Sequence, residues 1–161
     1  MNVRLVRITV LAAGITTLLL AQRHAGFVLL LLAVPLVPWF LYSAFVITTQ
    51  PARRVVQGLK VTIWLMSVLT VVCIHYYYHV STRHDAQDIA NAIQKYSNEH
   101  GICPSSLEAI GMTNAQLRGK LGYSAYVCEA GHPTLFYGST YVPFEQDRYN
   151  FERKEWIHFF D

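Results

Sequence analysis

The chain has 161 residues, of which 53% are hydrophobic and 14% are charged. Soluble domains carry about 25% charged residues, so this composition argues against an ordinary soluble protein. Residues 1–80 contain six basic side chains and no acidic one, whereas residues 81–161 contain seven basic and ten acidic ones. Because the basic residues separate apolar runs instead of collecting on a soluble face, the pattern argues against a nucleic-acid-binding protein and indicates a membrane protein.

Three uncharged stretches predict three transmembrane helices, at about residues 6–22, 26–49 and 61–80. A helix needs about 20 apolar residues to cross the hydrocarbon core. The second and third stretches reach that length, and the arginines that flank the shorter first one can snorkel from its ends. The alternative for the first stretch is a cleaved signal peptide, which also has a basic start and an apolar core. Pro35 and Pro38 predict a local kink in the second helix.

The short loops predict a cytoplasmic N-terminus and a C-terminal domain outside the cytoplasm. In that orientation the inner side carries five basic residues and the outer flanks carry two, as the positive-inside rule requires. The inner residues are Arg4, Arg7, Arg53, Arg54 and Lys60, and the outer ones are Arg23 and Arg83. We therefore expect residues 1–80 in a bacterial inner membrane, with the lipid bilayer as their partner, and residues 81–161 in the periplasm.

The second half of the chain begins with a predicted amphipathic helix at residues 83–100. Its apolar side chains recur every three or four positions, and Gly101 follows as a natural stop. A break near residues 81–82 is expected to separate this helix from the third membrane helix. A short helix is predicted next, because Ser105 and Glu108 have the spacing of a capping box.

Residues 112–120 are predicted to form either a loop or another short turn of helix that starts near Thr113, and the chain after them predicts β-structure. Four segments are rich in aromatic and β-branched residues, which favour strands. They are residues 122–128, 134–142, 148–151 and 156–160, and the last two predict a hairpin. The expected fold class is a membrane protein with three N-terminal transmembrane helices and a small α+β domain.

Cys103 and Cys128 are the only cysteines of the second half. An even pair in a domain outside the cytoplasm predicts a disulfide, which would stabilise the domain by about 3 kcal/mol on a chain-entropy argument. Two free thiols are the alternative. Cys73 lies in the third apolar stretch and is expected to be a small membrane residue.

The stretch AQDIANAIQKYSNEHGICPSSLEAIG (86–111) resembles the soluble region of type II secretion pseudopilins and type IV pilin-like proteins. The matching positions are Gly101, Pro104, Ser106, Leu107 and Glu108. The resemblance covers about residues 83–160 and implies a helix packed on a small antiparallel sheet.

Three departures separate this chain from that family. The family has a single N-terminal helix with a Gly–Phe cleavage site and a glutamate five residues after the glycine. Here Gly26 and Phe27 are present, but Leu31 stands at the position of the acid. The chain also has three apolar segments, and Cys103 replaces the usual aromatic residue. The resemblance therefore implies the fold of the domain and not assembly into a pseudopilus.

No motif for catalysis is recognisable in the sequence, so we do not expect an enzyme or a cofactor. His75 and His79 are spaced so that both imidazoles share one helix face, which makes them weak candidates for binding haem or a metal. An interfacial belt of His and Tyr side chains is the alternative, since two nitrogen ligands alone rarely define a site.

The strand-rich region contains more aromatic residues than its size suggests. Tyr and Trp are favoured at protein interfaces, and the candidates for binding a partner are Tyr137, Tyr141, Phe144, Tyr149 and Trp156. The alternative is that these residues only build the core.

The leading hypothesis is a non-catalytic inner-membrane protein whose periplasmic domain binds an envelope protein. One version is an immunity protein against an envelope-acting toxin. The alternatives are an accessory component of a secretion or pilus machine and a haem- or metal-binding membrane protein.

Overall fold

A computed structural model describes residues 3–23, 25–142 and 144–160. Within them the contacts define two units, one ending at Tyr77 and the other beginning at Tyr78. The helices are α1 (Val3–Leu20), α2 (Val28–Thr49), α3 (Pro51–His100) and α4 (Asn114–Leu121), with a 3₁₀ turn at Leu107–Ile110. The strands are β1 (Ser124–Glu129), β2 (His132–Gly138), β3 (Glu145–Asn150) and β4 (Glu155–Phe160).

The first unit is built from apolar helices whose large side chains point outward. Leu30 is 74% exposed, Leu18 is also 74% exposed and Leu41 is 69% exposed. Each exposed apolar Å² costs about 25 cal/mol in water, so surfaces of this kind suit hydrocarbon. Helices α2 and α3 are long and apolar enough to cross a membrane, which makes them two candidate membrane spans. That α1 is a third span stays a prediction.

Helix α1 is joined to α3 by polar bonds within this unit. The hydroxyls of Thr17 and Ser67 are 2.6 Å apart. Nε2 of His75 donates to the carbonyl oxygen of Leu20 at 2.8 Å. The last carbonyls of a helix have no partner inside the helix, so the His75 side chain caps the end of α1. Hydrogen bonds of this type hold helices together in membranes.

Helix α2 also bonds to α3 inside the first unit. The side-chain amide of Gln57 donates to Oγ of Ser43 at 2.7 Å. Pro51 begins α3, where its fixed φ suits the first helical turn and its missing N–H costs nothing. Pro35 and Pro38 lie inside α2.

Helix α3 runs for 50 residues from Pro51 to His100. The break predicted at residues 81–82 is therefore wrong. No glycine or proline stands between Leu59 and His100, so nothing in the backbone interrupts the helical hydrogen bonds. Thr82 is 1% exposed, so the polar pair that suggested a break belongs to the packed part of the second unit.

The second unit contains a four-stranded antiparallel sheet in the order β1-β2-β3-β4. Its core joins the apolar stripe of α3 to one face of the sheet, and Leu107, Leu117 and Leu121 complete it. From α3 the core includes Ala86, Ile89, Ala90 and Ile93, and from the sheet Leu135, Tyr137 and Tyr149. The second predicted strand segment, 134–142, is too long, since β2 ends at Gly138.

The helix caps between α3 and the sheet agree only in part with the predictions. Thr113 begins α4 with a capping box to Gln116. Ser105 and Glu108 do not form the predicted box, because the 3₁₀ turn begins after Ser106 and no side chain caps it. Gly111 ends that turn at φ +75°, a conformation that glycine adopts without strain.

Covalent closure comes from the disulfide between Cys103 and Cys128, which confirms that prediction. The Cα atoms are 6.1 Å apart, within the usual range for disulfides. Cys103 is 4% exposed, and the bond ties the segment after α3 to β1. Cys73 is a free and exposed cysteine on α3.

Candidate interaction surface

The sheet presents one face to α3 and the other to solvent. Side chains alternate along a strand, so Tyr137 points into the core and Phe136 points away from it. The face turned away from α3 is named the outer sheet face here. Its large members are Tyr123, Val127, Phe136, Arg148, Ile157 and Phe159.

Several of these side chains are exposed although they are apolar. Tyr123 is 71% exposed, Val127 43% and Phe159 37%. Each strand of the sheet contributes to the patch, either directly or through the residue just before it. Exposed apolar groups scattered singly are ordinary, but a contiguous patch on one face marks an interaction site.

The rings of the outer sheet face contact one another. The Tyr123 and Phe136 centroids are 6.0 Å apart. Tyr123 also lies over Gly138, where an added Cβ would be 3.5 Å from its Cδ1. This is an ordinary van der Waals distance, so the Tyr123 ring packs directly on the strand at Gly138.

A single cation lies among these rings. Cζ of Arg148 is 5.0 Å from the centre of the Phe159 ring, a distance at which a guanidinium is attracted to an aromatic face. Arg148 pairs across the strands with both Phe136 and Ile157. Arg148 is exposed, so its guanidinium lies among apolar side chains at the surface of the sheet.

Beside Arg148 the outer sheet face contains a cleft of about 370 Å³. Asn150 fixes its rim, because Oδ1 accepts hydrogen bonds from the backbone N–H groups of Glu152 at 3.0 Å and Arg153 at 2.9 Å. His132, Arg148, Ile157 and Phe159 are among the side chains that line it. Glu152 also lines the cleft, so its apolar surface is bordered by both an arginine and a carboxylate.

The structure separates the five aromatic residues predicted to bind a partner. Tyr137 is 2% exposed and Tyr149 is 5% exposed, so both are core residues and that part of the prediction is corrected. Trp156 packs between them, with centroid distances of 5.1 Å to Tyr137 and 4.9 Å to Tyr149. Tyr141 and Phe144 lie outside the core, in the connection between β2 and β3.

A polar network crosses the sheet on its α3 side. Nδ1 of His158 is 2.9 Å from Asp147 Oδ1, and Nε2 is 3.5 Å from Glu145 Oε2. The Tyr137 hydroxyl donates to Asp147. Burial, and then the neighbouring Asp147, raise the pKa of Tyr137 well above its ordinary value, while Arg83 acts in the opposite direction. Both ring nitrogens of His158 face carboxylates, so the network links β3 to β4.

A second tyrosine is fixed at the edge of the core. The hydroxyl of Tyr126 donates to the carbonyl oxygen of Pro104 at 2.8 Å. Burial, with a smaller contribution from Tyr96, raises the pKa of Tyr126 to about 12. This bond holds β1 against the segment that carries the disulfide.

The two histidines considered for haem or metal make different contacts. His75 is fully buried and bonds to Leu20, as described above. The ring of His79 lies 5.4 Å from that of Tyr141. Within residues 3–23, 25–142 and 144–160, no group of three or more His, Cys, Asp or Glu residues is placed to hold a metal ion.

The outer sheet face is not among the candidate sites that the sequence predicts. The alternation of side chains along a strand is the signal that could have identified this face. The two-residue turn Ala130–Gly131 fixes the register of β1 and β2. Both turn residues have positive φ, as in the type I′ turns that favour tight hairpins. With Leu135 buried, Phe136 must lie on the opposite face.

Comparison of the chain with protein-family models, with curated proteins and with solved structures found no match.

Proposed function

We propose that this chain is a membrane-anchored, non-catalytic binding protein. Three transmembrane helices hold a disulfide-closed α+β domain outside the cytoplasm, and the outer sheet face of that domain recognises a protein partner. The observation that carries the proposal is the aromatic patch around Arg148, which is exposed on the face of the sheet opposite to the core.

Anchoring is supported by the apolar exposed surface of α2 and α3 and by the bonds that α1 makes to α3. Thr17 and His75 contribute those bonds, and they favour a retained third helix over a removable leader. The surplus of basic residues on one side supports an N-terminus in the cytoplasm. A disulfide fits the resulting placement of the domain in the periplasm, where disulfides persist.

Partner binding is supported by the composition of the outer sheet face. Aromatic residues and arginine contribute most to the binding energy of interfaces when they are clustered and become desolvated. A single central cation among apolar groups fits a partner surface in which a carboxylate is surrounded by apolar side chains. The proposed partner is therefore an envelope protein that presents an Asp, a Glu or a chain terminus.

Two versions of this function name the partner's class. In the first, the chain is an immunity protein and the partner is an envelope-acting toxin. Deletion of the gene should then increase sensitivity to that toxin. In the second, the chain is an accessory component of a secretion or pilus machine. The helix and antiparallel sheet of the second unit favour this version, since the pseudopilin resemblance implies that arrangement.

Site-specific photo-crosslinking in living cells tests the proposal. A photoreactive amino acid replaces Phe136 or Phe159 in the full chain. We expect a discrete protein adduct at both positions. The change Arg148→Glu should reduce the adduct about tenfold or more, because reversing a buried interfacial charge costs several kcal/mol.

The matched control replaces Ile102, which is 64% exposed and lies outside the sheet. An adduct that also forms at Ile102, or one that survives Arg148→Glu unchanged, would contradict recognition by the outer sheet face. Arg148→Glu must leave the thermal midpoint of the purified protein unchanged for the result to count as lost binding, which is expected because Arg148 is exposed.

A further inference from the structure

Two of the most exposed large apolar side chains of the second unit lie at one end of its sheet. Phe144 is 71% exposed and Phe160 is 77% exposed. Phe160 pairs with Glu145 at the ends of β4 and β3, and Phe144 directly precedes Glu145. The two phenylalanines therefore share the end of the sheet at which the connection between β2 and β3 lies.

Contacts inside the second unit place this end beside the first residues of α3 in that unit. The ring of Tyr141, in the same connection, lies 5.4 Å from His79. Further along the helix, Nε1 of Trp156 donates to Oε1 of Gln87 at 2.9 Å. The end of β4 thus points toward His79 and away from Gly101.

Distances along the two elements agree with this placement. Phe160 lies four residues beyond Trp156 along β4, which corresponds to about 13 Å. His79 lies eight residues before Gln87 along α3, which corresponds to about 12 Å. Phe160 therefore reaches about the level of His79 on α3.

His79 directly follows Tyr76, Tyr77 and Tyr78, which end the apolar part of α3. Aromatic side chains at the end of a membrane helix lie at the level of the lipid headgroups. We infer that Tyr141, Phe144 and Phe160 form a second membrane contact, which inserts into the headgroup region of the bilayer that α3 crosses. This inference rests on the proposed anchoring of α3.

The membrane contact and the partner contact use different sides of one strand. Phe160 is on the α3 side of β4, together with His158, whereas Phe159 is on the outer sheet face. Lipid at Phe160 therefore leaves the outer sheet face open to a partner.

Accessibility of a nitroxide label measures this contact directly. The full chain with Cys73→Ala is reconstituted in nanodiscs of phosphatidylethanolamine and phosphatidylglycerol. Labels are attached at Phe144→Cys or Phe160→Cys, and collisions with lipid-soluble oxygen are compared with collisions with a water-soluble nickel chelate. We expect an oxygen-to-chelate ratio severalfold above that of an aqueous site.

Ile102→Cys is the aqueous reference, because Ile102 is 64% exposed and follows the other end of α3, about 30 Å along the helix from His79. Leu69→Cys, on the apolar part of α3 and 55% exposed, is the lipid reference. Ratios at Phe144 and Phe160 equal to that at Ile102, with Leu69 in lipid, would overturn the inference alone. A water-accessible label at Leu69 would overturn both the anchoring and the inference.

Discussion

Neighbouring aromatic residues in this protein lie on opposite faces of the sheet. Tyr137 is buried and bonds to Asp147, whereas Phe136, one position earlier, lies on the outer sheet face. Tyr149 and Trp156 complete the buried side, and Phe159 belongs to the other. The residue type says only that a side chain is large and apolar, and the face of the strand decides whether it is buried in the core or directed toward solvent.

The buried tyrosines predict how stability depends on pH. The pKa of Tyr126 is raised to about 12 and that of Tyr137 is also raised, so folding favours the neutral phenols. Their contribution is complete below the ordinary tyrosine pKa of about 10. It is lost as the pH rises from about 10 toward 12, because the unfolded chain then releases protons that the folded one retains.

Chemical unfolding of the full chain in detergent, measured by near-UV circular dichroism between pH 8 and pH 11.5, checks this dependence. The unfolding midpoint should fall above about pH 10, and Tyr126→Phe or Tyr137→Phe should make that fall less steep. Tyr123→Phe is the control, since Tyr123 is 71% exposed. An equal fall in all variants would show that other groups cause the alkaline loss.

At the scale of elements, the short helices and strands of the second unit depend on bonds to the segment that follows α3. The 3₁₀ turn, α4 and β1 are too short to be stable alone. The bond from Tyr126 to Pro104 and the disulfide both join β1 to the segment after α3. Removal of either connection should loosen the sheet without affecting the first unit.

The disulfide gives the larger expected effect. The double change Cys103→Ser and Cys128→Ser should lower the unfolding free energy of the domain by about 3 kcal/mol, because the open loop gains conformational entropy when unfolded. Denaturant titration with and without reductant measures the difference. Cys73→Ser should change stability by less than about 0.5 kcal/mol. A midpoint that does not respond to reductant would mean that the bond contributes nothing to stability.

At the scale of the whole molecule, the charge pattern and the disulfide predict the same compartment for the second unit. The basic residues of the first eighty positions favour one side of the membrane, and the cysteine pair favours an oxidising space on the other. These two observations have independent physical causes, since one concerns membrane insertion and the other concerns redox conditions.

Thiol labelling in intact cells tests that compartment. In a Cys73→Ala background, a membrane-impermeant reagent should label Cys103 and Cys128 only after reduction. Labelling only after lysis, without reduction, would place the domain in the cytoplasm and contradict the orientation, the native disulfide and the partner class together.

The sequence by itself determined the features that depend on local composition. Long apolar runs predicted the two candidate spans in α2 and in the first part of α3, and the cysteine pair predicted the disulfide. A turn of helix near Thr113 was one of two alternatives, and α4 begins there. Such features follow from hydrophobic length, from charge and from caps, which are set by residues close together in the chain.

The tertiary structure alone decided the features that depend on pairing between distant segments. The faces of Tyr137 and Phe136 follow from strand register against α3, the cap on α1 comes from His75, and the outer sheet face joins side chains from all four strands. A one-residue change of register would exchange the two faces of a strand. That register is set by the packing of the core, and a single stretch of sequence does not specify it.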